Sequence, residues 1–268
     1  MLKHVLQPCE RAIIRKDLHN IWHTRMIRLT VILAPALLCL VLPAFYLAIA
    51  WFLPAEAGSV SDDLAFLQSA AGEEMTERQL MVYLVAQLLG PMFFLMIPLM
   101  VSTTSAACSF VGERENSTME TLLLAPVSLR QIFCAKVAAC ALLSLIAEAV
   151  SLFAFSLVMA VGSVLFETPF YFNLSWAVLV FLLAPAVALF GVTFMVLISG
   201  RSKSSMEAMQ TSGYLVLPVV LLFVAQLSGA FTLGPVLLLL IAVLVGGADA
   251  VLVSIASRSF TPERLLRV

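Results

Sequence analysis

The chain has 268 residues, 62% of them hydrophobic and 12% charged, with a formal net charge of −1 at pH 7. Soluble domains hold about 45–50% apolar and about 25% charged residues, so much of this chain needs lipid as its solvent. A near-neutral charge without a basic tract leaves no electrostatic footprint for nucleic acid.

Residues 1–28 open the chain as a polar segment. Within PCERAIIRKDLHNIWHTRMIR (8–28), Ile14, Leu18, Ile21, Trp22 and Arg25 share one helical face, while Arg15, Lys16, His19, His23 and Arg28 lie largely elsewhere. This pattern predicts an amphipathic helix in the headgroup layer. It would serve as an anchor, as a lever on a cytoplasmic partner, or as both. His19 and His23 are spaced i, i+4, but with no third ligand in reach they read as interfacial polar residues, not as a metal site. The length of the polar stretch and of the first apolar run does not fit a cleavable signal peptide.

Six apolar stretches follow, at about 29–53, 80–108, 133–160, 174–199, 209–228 and 234–257. Crossing a hydrocarbon core of about 30 Å takes about 20 helical residues. None of the six alternates at the period of a membrane β-barrel. The expected fold is an all-α polytopic membrane protein, with one six-helix domain over 29–257 and a tail over 258–268. Pro35, Pro43, Pro91, Pro98, Pro185 and Pro218 fall inside spans, where they are tolerable and predict kinks.

Fourteen of the 15 basic residues lie in 1–28, 109–136, 200–205 and 258–268. Arg78 is the other, in a loop (54–79) that also carries six acids. The positive-inside rule therefore puts both termini in the cytoplasm, with loop 54–79 and the links 161–173 and 229–233 outside. None of the five cysteines lies in an outer loop, so a disulfide framework is not expected.

Between spans two and three, residues 112–128 read GERENSTMETLLLAPVS, with four charges in the first nine positions. Ser117 and Glu120 fit a capping box, which predicts a helix from about Thr118 to Ala125. Pro126 disfavours helix in the residue before it and ends the element there. Ser128 and Gln131 form a second capping box, opening span three. Glu113 and Glu115 sit where the dipole of the short helix favours acids, and Met119, Leu122 and Leu123 share its apolar face. A two-turn helix is unstable alone in water and must dock, on membrane-proximal protein or on a partner.

This segment resembles the signature of the ABC transporter type 2 permease family. The matching positions are Gly112, Glu113, Arg114, Glu115, Thr118, Glu120, Leu123, Pro126, Val127, Ser128 and Lys136. Met119, the pair Asn116 and Ser117, and Ala135 depart from the family pattern without removing a capping or docking element. Weaker matches are the opening Arg15, Lys16, Asp17 and Leu18, and the turn before span five containing Arg201, Lys203 and Glu207. The resemblance implies that 112–126 is a coupling helix seated in an ATP-binding subunit through Glu113, Arg114, Glu115, Thr118, Met119, Glu120, Leu122, Leu123 and Pro126. Arg15, Lys16, Asp17, Arg201, Lys203 and Glu207 would form a secondary cytoplasmic contact. The chain has no GxxxxGK[ST] loop, so it cannot hold ATP by that route and is expected not to be an enzyme. ATP and Mg would be bound by two copies of a separate ATPase. A second permease copy, identical or paralogous, is implied, in a bacterial cytoplasmic membrane.

Glu148 and Asp249 lie within spans three and six. Ionisable groups at such depth are candidates for a translocation path; the structural alternative is an acid that locks helix packing through Ser144, Ser151 or a neighbouring span. The run Ser102 to Ser109 is small and polar, suited to close helix approach with hydroxyls bonding across helices. Phe93, Phe94, Met92, Met96 and Met100 would suit an apolar substrate or face lipid. Three function classes remain: an ABC exporter permease, an ion-gradient-driven carrier or channel using Glu148, and, remotely, a membrane-embedded enzyme. The first is expected. The carrier predicts inverted repeats, which the sequence does not show. The spans lack His, HExxH and paired acids.

Overall fold

A computed structural model describes residues 14–16, 18–19, 25–52, 75–115, 128–199, 202, 204–228 and 233–259. Its described residues are helical throughout apart from caps and links, with no strand among them. Six helices are long and apolar enough to cross a membrane: α1 (Arg28–Trp51), α2 (Glu77–Val111), α3 (Leu129–Phe166), α4 (Leu174–Ser199), α5 (Ser205–Leu227) and α6 (Pro235–Ala256).

Helices α2, α3 and α5 start three or four residues earlier than hydropathy alone suggests, at Glu77, Leu129 and Ser205. Thr76 Oγ1 accepts from Gln79 N, and Gln79 Oε1 accepts from Thr76 N, a reciprocal cap that opens α2 at Glu77. Glu77 and Arg78 are therefore helical, not part of the outer loop. The Ser128–Gln131 box is present as expected, with Gln131 Oε1 taking the Ser128 N–H at 3.0 Å and Ser128 Oγ taking the Gln131 N–H at 3.3 Å. At its other end α3 runs on to Phe166, and Glu167 closes it in the left-handed region at φ 55°.

Five of the six span prolines sit beside wide or tight turns, whereas Pro98 lies inside the continuous α-helical stretch Gly90–Ala106. π-helical segments cover Ala36–Val41 between Pro35 and Pro43, Leu84–Leu89 before Pro91 and Leu179–Leu183 before Pro185, and a 3₁₀ turn covers Gly213–Leu215 before Pro218. Proline lacks an N–H and its ring crowds the carbonyl four residues back. Widening the preceding turn relieves that crowding. A further π-turn, Ala107–Val111, follows no proline and leads directly into Gly112–Glu115.

Helix α2 is enclosed over most of its apolar length, packed by α1, α3, α4 and α5; α4 packs on α2, α3 and α6. A Cβ on Gly191 would collide with Ser102 Oγ, so the α4 backbone packs directly on the small Ser102 and Thr103 side chains of α2 there. The Ser102–Ser109 run is buried as expected, but its hydroxyls mostly turn inward along their own helix. Ser102 and Thr103 donate to Leu99 O, and Ser105 to Ser102 O. Phe94, Phe155, Tyr171 and Trp176 form an aromatic cluster with centroids 5.0–5.5 Å apart, edge-to-face except for the stacked pair Phe155 and Trp176. Phe93 and Phe94 are thus core residues. Helices α1, α5 and α6 bury little of their apolar surface, and Leu33, Leu221 and Leu244 among others point away from the chain.

Candidate functional site

The polar cluster where α2 leaves the bundle begins with Lys136, a residue whose side chain is 0% exposed. Its ammonium lies 2.8 Å from Glu113 Oε2, donates to Ser109 O at 3.0 Å and to Ser109 Oγ at 3.1 Å, and stands 5.5 Å from the centroid of the Phe110 ring. In the sequence Lys136 stands out only as a position of the family signature. The structure adds that Lys136 is fully buried within the protein, because the last turn of α2 supplies carbonyl, hydroxyl and ring, and the following turn Gly112–Glu115 supplies the carboxylate. A buried charge is tolerable when so surrounded.

Glu113 serves two cations from different elements. Its other oxygen, Oε1, lies 3.6 Å from Lys16 Nζ. Lys16 belongs to an N-terminal stretch whose described residues 14–16 and 18–19 are helical. Ile14 packs against Ile132 and Ala135 at the start of α3, Leu18 packs on the main core, and Arg15, Lys16 and His19 are exposed. At these residues the apolar side chains pack and the polar ones face outward.

Glu115 turns to a third element. It accepts from Ser205 N at 3.0 Å and Ser205 Oγ at 2.8 Å, at the first turn of α5. Ser204 Oγ caps the same turn by accepting from Glu207 N. An acid at a helix N-terminus meets unsatisfied N–H groups and the positive end of the dipole. The backbone bond from Ser205, then its hydroxyl bond, hold the Glu115 carboxyl below the usual glutamate range.

Helix α2, α3, α5 and the N-terminal stretch therefore meet at Glu113 and Glu115. Of the other residues expected here, Asp17, Thr118, Met119, Glu120, Leu122, Leu123, Pro126, Arg201 and Lys203 lie outside the described residues, as do the Ser117–Glu120 box and the side chain of Arg114. Glu207 is exposed on the first turn of α5. Lys136, Ser109 and Ser205 are the site residues that sequence reasoning missed as partners. A lysine inside the apolar start of span three is a signal of a buried pair, but its partner is 23 positions away.

This arrangement lies within the range that a family model matches. The model for ABC-2 family transporter protein matches residues 11–236. The chain belongs to the ABC-2 transporter family. A comparison with curated proteins gives no match. The matched range takes in the N-terminal stretch, the whole Glu113–Lys136 cluster and the turn that opens α5. As an ABC-2 family member with six helices long and apolar enough to cross, the chain is a multi-pass membrane protein with the role of an ABC permease.

Away from the cluster, this ABC-2 protein buries two acids. Glu148 on α3 is 3% exposed and Asp249 on α6 is 6% exposed. Glu148 Oε1 and both oxygens of Asp249 have no hydrogen-bond partner among the described residues. The serines foreseen as partners of Glu148 are engaged elsewhere. Ser144 Oγ donates to Pro98 O at 2.9 Å, and Ser151 Oγ donates to Ala147 O at 2.6 Å.

Proposed function

We propose that this ABC-2 permease is the membrane subunit of an exporter whose transport step is driven by a separate ATPase acting through residues 112–126. Glu113 and Glu115 support this assignment. They fasten the base of that segment to α3, to α5 and to the N-terminal stretch, so a push on the segment reaches all of them together. The segment also continues covalently into α2 on one side and α3 on the other, and the Ser128–Gln131 cap bounds it sharply. The driving partner is a pair of cytosolic ABC subunits that bind ATP and Mg, and the substrate path is completed by a second permease copy, identical or paralogous. The membrane is the bacterial cytoplasmic membrane, with both termini inside.

The test is to purify the permease with its ABC subunits and compare Glu113→Ala, Glu115→Ala and Glu120→Ala with the parent. Complex assembly, or the ATP turnover that accompanies transport, should fall at least tenfold in one or more of them. Unchanged assembly and unchanged coupled turnover in all three would sink the coupling role.

Glu148 supports a second reading, that of an ion-coupled carrier, because a buried carboxyl without a partner for Oε1 is able to take up a proton or cation. Glu148→Gln abolishes transport under that reading. Retained ATP-driven transport in Glu148→Gln leaves the acid a packing role.

A further inference from the structure

At the end of the bundle remote from Glu113, a cavity of about 250 Å³ opens between the start of α2, the end of α3 and the link to α4. A water molecule takes about 30 Å³, so the space holds about eight waters or one six-membered sugar ring. One face of α2 contributes Gln79, Tyr83 and Gln87, spaced i, i+4, i+8. Both amides are held in place: Gln79 Nε2 donates to Phe166 O at 3.3 Å and Gln87 Nε2 to Tyr171 O at 3.1 Å. Each amide nitrogen carries a second N–H.

Thr168 and Tyr171 complete the wall from the link. Thr168 Oγ1 is buried and has no hydrogen-bond partner among the described residues. Buried hydroxyls are nearly always paired, so such a group marks a place where a partner belongs. Tyr171 is fixed by the aromatic cluster and by its hydroxyl, 2.6 Å from Ser156 Oγ. No charged side chain lines the cavity among the described residues. A phosphate, carboxylate or ammonium would enter without a counter-charge, which is costly away from bulk water. Rigid amides, a waiting hydroxyl and aromatic surface instead match the hydroxyls and C–H faces of a carbohydrate ring.

We propose that this cavity binds an uncharged, polyhydroxylated ring, with Thr168 Oγ1, Gln79 and Gln87 as hydrogen-bonding groups and Tyr83 and Tyr171 as apolar walls. The ring belongs either to a free saccharide or to a glycolipid headgroup. Binding needs no ATPase, so its loss and a failed coupling experiment report on different parts of the molecule.

The experiment uses the full chain in a zwitterionic detergent free of sugar, and in phosphatidylethanolamine–phosphatidylglycerol nanodiscs. The probes are methyl glucoside, methyl galactoside and methyl mannoside in the first arm, and glucosyl- or galactosyl-diacylglycerol in the second. Calorimetric titration reads the first and native mass spectrometry the second. Saturable binding in either arm supports the site and names its source. Thr168→Val, which removes the hydroxyl, and Ser163→Leu, which fills the space from the α3 wall of the cavity, should each weaken it at least tenfold, while Thr168→Ser stays within threefold. No binding of any probe, leaving water as the only occupant, overturns the proposal. So does binding that Thr168→Val and Ser163→Leu leave unchanged.

Discussion

An ammonium group shut off from water needs its charge and its protons answered inside the protein, and Lys136 has both met by Glu113, Ser109 and the Phe110 ring. Removing one member of such a pair costs more than removing both, because the survivor stays buried and uncompensated. Glu113→Gln or Lys136→Met alone should each destabilise the protein by about 3–5 kcal/mol. The double variant should lose much less than the sum of the two, as unfolding in detergent would show through a double-mutant cycle. Glu115 is the solvent-facing counterpart. Its carboxyl titrates lower in the folded protein than in the unfolded chain, so its contribution is present above the unfolded value and vanishes as pH falls through the folded one. Acidification should therefore weaken the α2–α5 connection, and Glu115→Gln should flatten that part of the pH profile of the unfolding midpoint. Glu167 sits at φ 55° without being glycine. Glu167→Gly should leave stability equal or raise it by up to about 1 kcal/mol, since the left-handed region penalises a Cβ by about that much.

Helix boundaries show where local chemistry was readable and where it was overlooked. Ser128 and Gln131 announce the start of α3 three residues apart, and the structure has both reciprocal bonds. Thr76 and Gln79 carry the same signal, yet Glu77 and Arg78 between them suggest a loop. Hydropathy hid a cap that the residue types spell out. The wide turns beside Pro35, Pro43, Pro91 and Pro185 were legible as irregularities but not as π-turns, because the sequence does not say how a helix will make room. The partners of Glu113 and Glu115 were not legible at all. They lie on elements far away in sequence, and nothing local in either acid selects Lys136 or Ser205. The Gly191–Ser102 approach belongs to the same class. Gly191→Ala should destabilise by about 1–3 kcal/mol through overpacking. Ser102→Gly in the same chain should recover most of that loss, a pairing that thermal unfolding of the single and double variants would reveal.

Six spans and their order were evident from composition, because lipid imposes a length on apolar runs that tertiary packing cannot easily override. What hydropathy could not rank was enclosure: α2 and α4 are as apolar as α5 and α6, yet the former pair forms the middle of the bundle. If the elements joined at Glu113 and Glu115 move as one body, linking them should leave transport intact. Joining positions 115 and 205 as Glu115→Cys and Ser205→Cys through a short reducible crosslinker should leave ATP-driven transport close to that of the unlinked double variant; transport lost until reductant is added would show that these positions must separate during the cycle. One dimension carries a further consequence. Helix α3 has 38 residues, about 57 Å at 1.5 Å per residue, whereas a bilayer with its headgroups spans about 40–45 Å. The surplus has to be absorbed by leaning or by protruding, and each ångström of mismatch carries a fraction of a kcal/mol. Acyl-chain length thus becomes a control on the resting slant of α3, and on the angle at which the 116–127 segment meets whatever pushes it.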